Sequence, residues 1–126
     1  MYIINENVEN EIIIKKSRFI AKLYYIDNEN EVNEIINNLK KEYKKSTHIV
    51  YAYIVKGKEK AVDDGEPSHT AGRPILNVLQ KKNITNVLAV VIRYFGGIKL
   101  GAGGLVRAYT NSISEVFKLA KVKEKE

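Results

Sequence analysis

The stretch NVLAVVIRYF (86–95) contains one charged side chain, Arg93, among ten residues. A run this apolar and this short reads as a central strand buried on both faces or nearly so. It leads directly into GGIKLGAGGLVRAY, so that Arg93–Tyr109 holds five of the chain's eight glycines. A helix follows: Leu105, Tyr109, Ile113, Val116, Phe117 and Ala120 recur on one face, and Arg107, Asn111, Ser114 and Lys118 on another. Any fold for this chain must be built around this unit of strand, glycine loop and helix.

The other elements are arranged around that unit. Residues 12–26, IIIKKSRFIAKLYYI, are β-branched and aromatic and read as one or two strands. DNENEVNEIINNLKKEYKK reads as a helix capped by Asp27 or Asn28, with Val32, Ile35, Ile36, Leu39 and Tyr43 at helical spacing. Its acids lie early and its lysines late, which suits the helix dipole. HIVYAYIV (48–55) alternates as a strand, KGKE is a hairpin turn, and KAV returns. After the loop VDDGEPSHTAG, RPILNVLQKKN suits a short helix that tolerates Pro74 in its first turn. This order predicts an α+β two-layer sandwich, one mixed sheet with helices on one face and the other face partly free. At 126 residues and 44% hydrophobic content the chain suits one domain, residues 1–126, with a core of 12–118 and a solvated tail of 119–126.

Several classes are disfavoured. The absence of cysteine removes disulfide scaffolds, thiolate zinc sites and thiol nucleophiles. No apolar run is long enough to span a membrane, and MYIINENVENE is acidic where a signal peptide is basic and apolar. The expectation is a soluble, cytoplasmic protein without cofactor. Lysine and arginine number 21 against 15 acids, a net charge of +6, which favours polyanionic partners.

The glycine segment is a physically plausible anion site. Glycines let backbone approach a ligand, and the first amides of a helix have no internal partner. Arg93, Lys99 and Arg107 surround it, and no acid lies between Ile92 and Ser114. The common nucleotide patterns do not fit: the lysine precedes its glycine where a P-loop has it following, and G-x-G-x-x-G is not in the required place. A phosphate such as that of an RNA backbone fits better than free ATP. The structural alternative is a sharp turn packed under a neighbouring loop.

The acidic loop places Asp63, Asp64 and Glu66 within four positions. Such oxygens can hold a hard cation, or one can act as a base beside His69. They can equally cap residues 70–72 and the helix after them, or pair with the basic glycine segment as a clamp, which is the favoured reading. No metal site is expected. Of the two histidines, His69 is the better chemical candidate, and His48 reads as a structural residue at the head of its strand. Tyr24, Tyr25, Tyr51, Tyr53 and Tyr94 fall on strands, where they either stack bases on a free sheet face or finish a core.

Three segments, KKSRFIA (15–21), DDGEPSHTAGRPIL (63–76) and VVIRYFGGIKLGAGGLVRAY (90–109), closely resemble the YigZ/IMPACT family. The resemblance spans residues 12–118. It implies a fold similar to a ribosomal-protein domain and to the fourth domain of elongation factor G, with a left-handed crossover against the usual rule. It also implies a link to translation regulation. Asp63, Asp64, Gly65, Glu66, Pro67, Thr70, Ala71 and Gly72 match the acidic motif. Arg93, Tyr94, Phe95, Gly96, Gly97, Leu100, Gly101, Gly103, Gly104, Leu105 and Tyr109 match the glycine motif. His69 stands where the family usually has glycine, so a positive φ there would strain it. Bacterial members continue into a ferredoxin-like domain, which is not expected within this sequence.

The functional expectation is a non-enzymatic regulatory domain that contacts RNA or the ribosome. Its anion-binding surface is drawn from Arg18, Arg73, Arg93, Lys99, Gly101, Gly103, Gly104 and Arg107. The loop residues Asp63, Asp64, Gly65, Glu66, Pro67, Thr70, Gly72, Gly96 and Gly97 shape it. One alternative is an enzyme or binding protein for a small phosphorylated ligand, with Asp63, Asp64 or Glu66 as metal ligand or base. The other is an adaptor for a protein partner.

Overall fold

In the computed structural model, which describes residues 1–126, five strands form one sheet in the order β2-β3-β6-β4-β5. They are β2 (Val8–Ile14), β3 (Ser17–Tyr25), β4 (His48–Val55), β5 (Lys58–Val62) and β6 (Val87–Tyr94). Three helices accompany them: α1 (Asn30–Glu42), α2 (Gly72–Lys81) and α3 (Gly101–Phe117). β1 (Tyr2–Ile4) and β7 (Val122–Glu124) form a separate two-stranded ribbon. The α+β sandwich expected from the sequence is therefore present. No helix is long and apolar enough to cross a membrane.

Two details differ from expectation. Every pairing in the sheet is antiparallel, so the sheet is not mixed. The helices cover both faces. Phe19, Ala21, Val50, Ala52, Val87, Ala89 and Val91 pack with α2 and α3. Ile20, Ile49, Tyr53, Leu88, Val90 and Ile92 pack with Val32, Ile36 and Leu39 of α1. The reason lies in β6, whose residues from Val87 to Ile92 are all fully buried. A central strand apolar on both faces needs cover on both. The strand tyrosines are accordingly divided. Tyr53 is buried in the α1 cluster, and Tyr24, Tyr51 and Tyr94 are half-buried at its rim, so these four finish a core and do not stand on an open sheet face.

The topology contains one crossover of each hand. β3 and β4 both run antiparallel to β6 between them, so they are parallel to each other, and α1 links them over one face. β5 and β6 are likewise parallel across β4, and α2 links them over the other face. Between these two connections the strand direction, the sideways displacement and the face all reverse. Three reversals invert the hand, so one crossover is left-handed against the general preference.

Both hairpins are tight. Lys15 and Lys16 join β2 to β3 with φ of 46° and 67°, and Lys56 and Gly57 join β4 to β5 with φ of 51° and 74°. Positive φ at both central residues matches the twist of the flanking strands. The strand β2 starts at Val8, earlier than its apolar part suggests, because Glu9 and Glu11 face across the hairpin to Lys22 and Arg18. The tail expected to be solvated is exposed but not frayed: Val122–Glu124 pairs with Tyr2–Ile4, and Ile4 is buried in the main core. Backbone pairing holds a segment whose side chains alone suggest solvent.

Candidate anion-binding cleft

The loop after β5 is organised by its carboxylates. Asp63 accepts hydrogen bonds from the amides of His69 (2.9 Å), Ala71 (3.2 Å) and Gly72 (2.9 Å), so it occupies the start of α2. Asp64 accepts the Ile49 amide at 2.6 Å, while its backbone carbonyl lies 2.7 Å from His48 Nδ1. A carbonyl only accepts, so Nδ1 carries the proton. The Thr70 hydroxyl closes the loop by donating to the Pro67 carbonyl at 2.6 Å.

Glu66 turns inward from this loop and is 8% exposed. One of its oxygens accepts Arg93 Nη1 at 2.7 Å and the Tyr109 hydroxyl at 2.5 Å. The other lies 3.3 Å from His48 Nε2. Arg93 comes from the end of β6 and is 5% exposed. Its Nη2 donates to Ser17 Oγ at 3.2 Å, its guanidinium stands 5.4 Å from the Phe19 ring and 5.5 Å from the Phe95 ring, and its Nε has no partner. Phe19 meets Tyr109 edge-on at 5.4 Å. Burial, and then the bond to the Glu66 carboxylate, hold the Tyr109 phenol far above its ordinary range. A buried ion pair between the acidic loop and β6 thus ties β3, β6 and α3 together. Pairs of this kind cost desolvation energy and are retained where geometry matters.

Above this pair lies a cleft of about 430 Å³, with His48, Glu66, Arg93 and Phe95 on one side and Lys99, Gly101 and Ala102 on the other. The start of α3 opens onto it. That start has no side-chain cap and no acid in its first turn. Lys99 beside it is exposed and takes part in no ion pair. The single carboxylate in the cleft, Glu66, is already held by Arg93 and Tyr109. The cleft therefore offers helix-start amides and a free cation to a negative group.

The structure regroups the residues singled out from the sequence. Arg93 and Lys99 line the cleft, but Arg93 is spent on Glu66 and Ser17 and is not free for solvent phosphates. Arg18 lies on the α1 side of the sheet, where Glu11 binds it at 2.9 Å and Tyr94 lies beneath it at 4.9 Å; it does not join this surface. Its side-chain hydrogen bond holds Glu11 below the usual carboxylate range. Arg73 is exposed in the first turn of α2, whose start Asp63 already fills. Arg107 is exposed on α3 and folds back over Gly103 and Gly104.

The glycines also divide. Gly103 and Gly104 belong to α3 itself, not to the loop before it. Gly96 packs against the hairpin, since a Cβ there would stand 2.1 Å from the Lys16 backbone. Its amide also donates to Ser17 Oγ at 3.2 Å. This glycine meets the β2–β3 turn, not the acidic loop. His69 has φ of 65°, the strained conformation that a glycine position implies, and its exposed ring takes no part in the cleft. The preference between the histidines is reversed: His48 faces the cleft because Asp64 orients its ring. No three His, Asp or Glu side chains converge to hold a metal ion. Ser17, Thr47, Phe95 and Tyr109 were not singled out as functional; only the juxtaposition of distant segments reveals them. For Phe95 and Tyr109 the signal was membership of the same glycine motif as Arg93, and for Ser17 membership of the segment KKSRFIA.

Comparisons with known proteins bear on the family and the fold. The family model for the Impact N-terminal domain matches residues 15–117. The IMPACT family member YvyE of Bacillus subtilis is 50% identical over 117 residues, covering 90% of this chain and 54% of that protein. The IMPACT family member YigZ of Escherichia coli is 36% identical over 110 residues, covering 83% and 54%. The chain spans about half the length of these relatives. The crystal structure of an hypothetical protein superposes with a TM-score of 0.93 at 32% identity, covering 98% of this chain and 63% of that one. The two-domain translational regulator Yih1 shares the fold at a TM-score of 0.50 and 20% identity, covering 94% of this chain and 47% of its own. Taken with the cleft formed by the acidic and glycine motifs, these matches establish that the chain belongs to the IMPACT family, whose N-terminal domain it contains.

Proposed function

We propose that this chain is a non-enzymatic, cytoplasmic regulatory domain linked to translation, and that it contacts RNA or the ribosome through the start of α3. The observation that carries the reading is the uncapped, acid-free first turn of α3 opening beside unpaired Lys99 onto a cleft whose own carboxylate is neutralised. A phosphate there meets oriented amides and a cation. Arg107, exposed on the same helix, adds a second charge near the opening turn. The link to translation draws on the family and on the description of Yih1 as a translational regulator.

The test is binding of a labelled single-stranded RNA across a salt series. Binding is expected to weaken steeply with salt, and Lys99→Ala to reduce the salt slope by about one. RNA affinity at low salt no higher than that of a neutral control protein removes the reading. The cleft volume of about 430 Å³ also suits a free phosphorylated small molecule. Heat stabilisation by a mononucleotide without any RNA binding selects that second reading.

A further inference from the structure

We propose that the cleft receives one unstacked nucleotide of a single RNA strand, with its base on Phe95 and its phosphate at the start of α3 beside Lys99. This rests on the RNA-contacting reading and specifies the form of RNA it takes.

Phe95 is a large aromatic side chain left 47% exposed at the wall of the cleft. Its backbone is fixed, because its amide donates to Thr47 Oγ1 at 2.9 Å. The Arg93 guanidinium lies 5.5 Å from its ring centroid, itself anchored by Glu66 and Ser17. The ring is therefore a platform with a cation packed against it, and part of its surface is open. Nucleobases stack on such platforms whatever their identity.

One further observation bears on the polar groups an occupant meets. His48 Nδ1 is held by the Asp64 carbonyl, which leaves Nε2 as the ring nitrogen turned toward Glu66 and the cleft. A nucleotide offers a flat base to Phe95, an anion to Lys99 and the α3 amides, and sugar hydroxyls to the cleft edge where His48 Nε2 meets Glu66. The cleft of about 430 Å³ holds a unit of this size. A base paired and stacked inside a duplex cannot enter it without being extruded.

The experiment compares a labelled single-stranded RNA of about 12 nucleotides with its blunt duplex, a length within the usual range of single-strand sites. The full chain is used with Phe95→Ala, Phe95→Trp and Lys99→Ala. Single strand is expected to bind about tenfold more tightly than duplex, and Phe95→Ala to remove about that factor. Duplex binding should be unchanged by Phe95→Ala, and Phe95→Trp should retain strand preference. Because Phe95 is half exposed, the variants should melt as the wild type does. Equal affinity for strand and duplex, with no effect of Phe95→Ala but continued loss on Lys99→Ala, overturns the nucleotide cleft and leaves the RNA reading standing. Absence of any RNA binding removes both.

Discussion

The helices α2 and α3 both pack against the same face of the sheet, but they begin in opposite ways. At α2 the Asp63 carboxylate reaches from the loop after β5 and accepts the amides of Ala71 and Gly72. At α3 no side chain caps the start and no acid stands in the first turn. The α2 start is closed by an anion the chain supplies. The α3 start faces a cleft beside Lys99, and the proposal places an anion from outside there. Helix ends have the same unmet amides everywhere; the difference is only who satisfies them. Folding accounts for the first, and the proposed function assigns the second to binding.

The largest effect is expected where the two loops are locked together. Replacing Glu66 by alanine leaves Arg93 charged and 5% exposed without its carboxylate. The expected loss is about 3–5 kcal/mol, read by denaturant unfolding. A loss below about 1 kcal/mol, the level of a surface pair, means that the pair does not lock the cleft.

Next comes the closed helix start. Asp63→Ala removes the acceptor of three amides. It should cost about 2 kcal/mol while sparing any RNA affinity that resides at α3. Equal damage to RNA binding would merge the two helix starts into one site.

A smaller, pH-dependent effect reports on Tyr109. Its phenol is held above the ordinary range in the folded chain, so the folded state keeps a proton that the unfolded state releases above about pH 10. The stabilisation is full below that pH and is lost as pH rises beyond it. Tyr109→Phe should flatten the alkaline fall by up to about 1.4 kcal/mol per pH unit. The slope will not vanish, since burial also raises Tyr24, Tyr51 and Tyr53. An unchanged alkaline slope contradicts the buried Tyr109–Glu66 bond.

How much of this was legible in the sequence differs by element. Strand β4 was readable to its ends because HIVYAYIV is a β-branched and aromatic run bounded by polar residues, although it is buried on both faces and does not alternate. The apolar run of β6 already carried the need for cover on both faces, yet the linear order of elements did not say that α1 crosses to the far side. The true start of α3 was hidden because glycine is a poor helix former, and Gly101, Gly103 and Gly104 resemble loop. Packing against the sheet overrides that propensity. At the site, the pairing of the acidic loop with Arg93 was anticipated by charge, whereas the roles of His48 and Phe95 depend on which strand ends meet. Lys15 and Lys16 lack the usual Asn-Gly signal of their turn, and only the backbone shows them in left-handed conformation.

The most direct test makes the open helix start resemble the closed one. Ala102 is exposed in the first turn of α3, so Ala102→Asp places a carboxylate where the account puts the phosphate. Stability should hold or rise by about 0.5 kcal/mol, because an acid near a helix start is favourable. The measurement is single-stranded RNA affinity of Ala102→Asp and wild type at low salt. The account predicts a folded variant that has lost RNA binding. A folded variant that binds RNA as tightly as the wild type contradicts it.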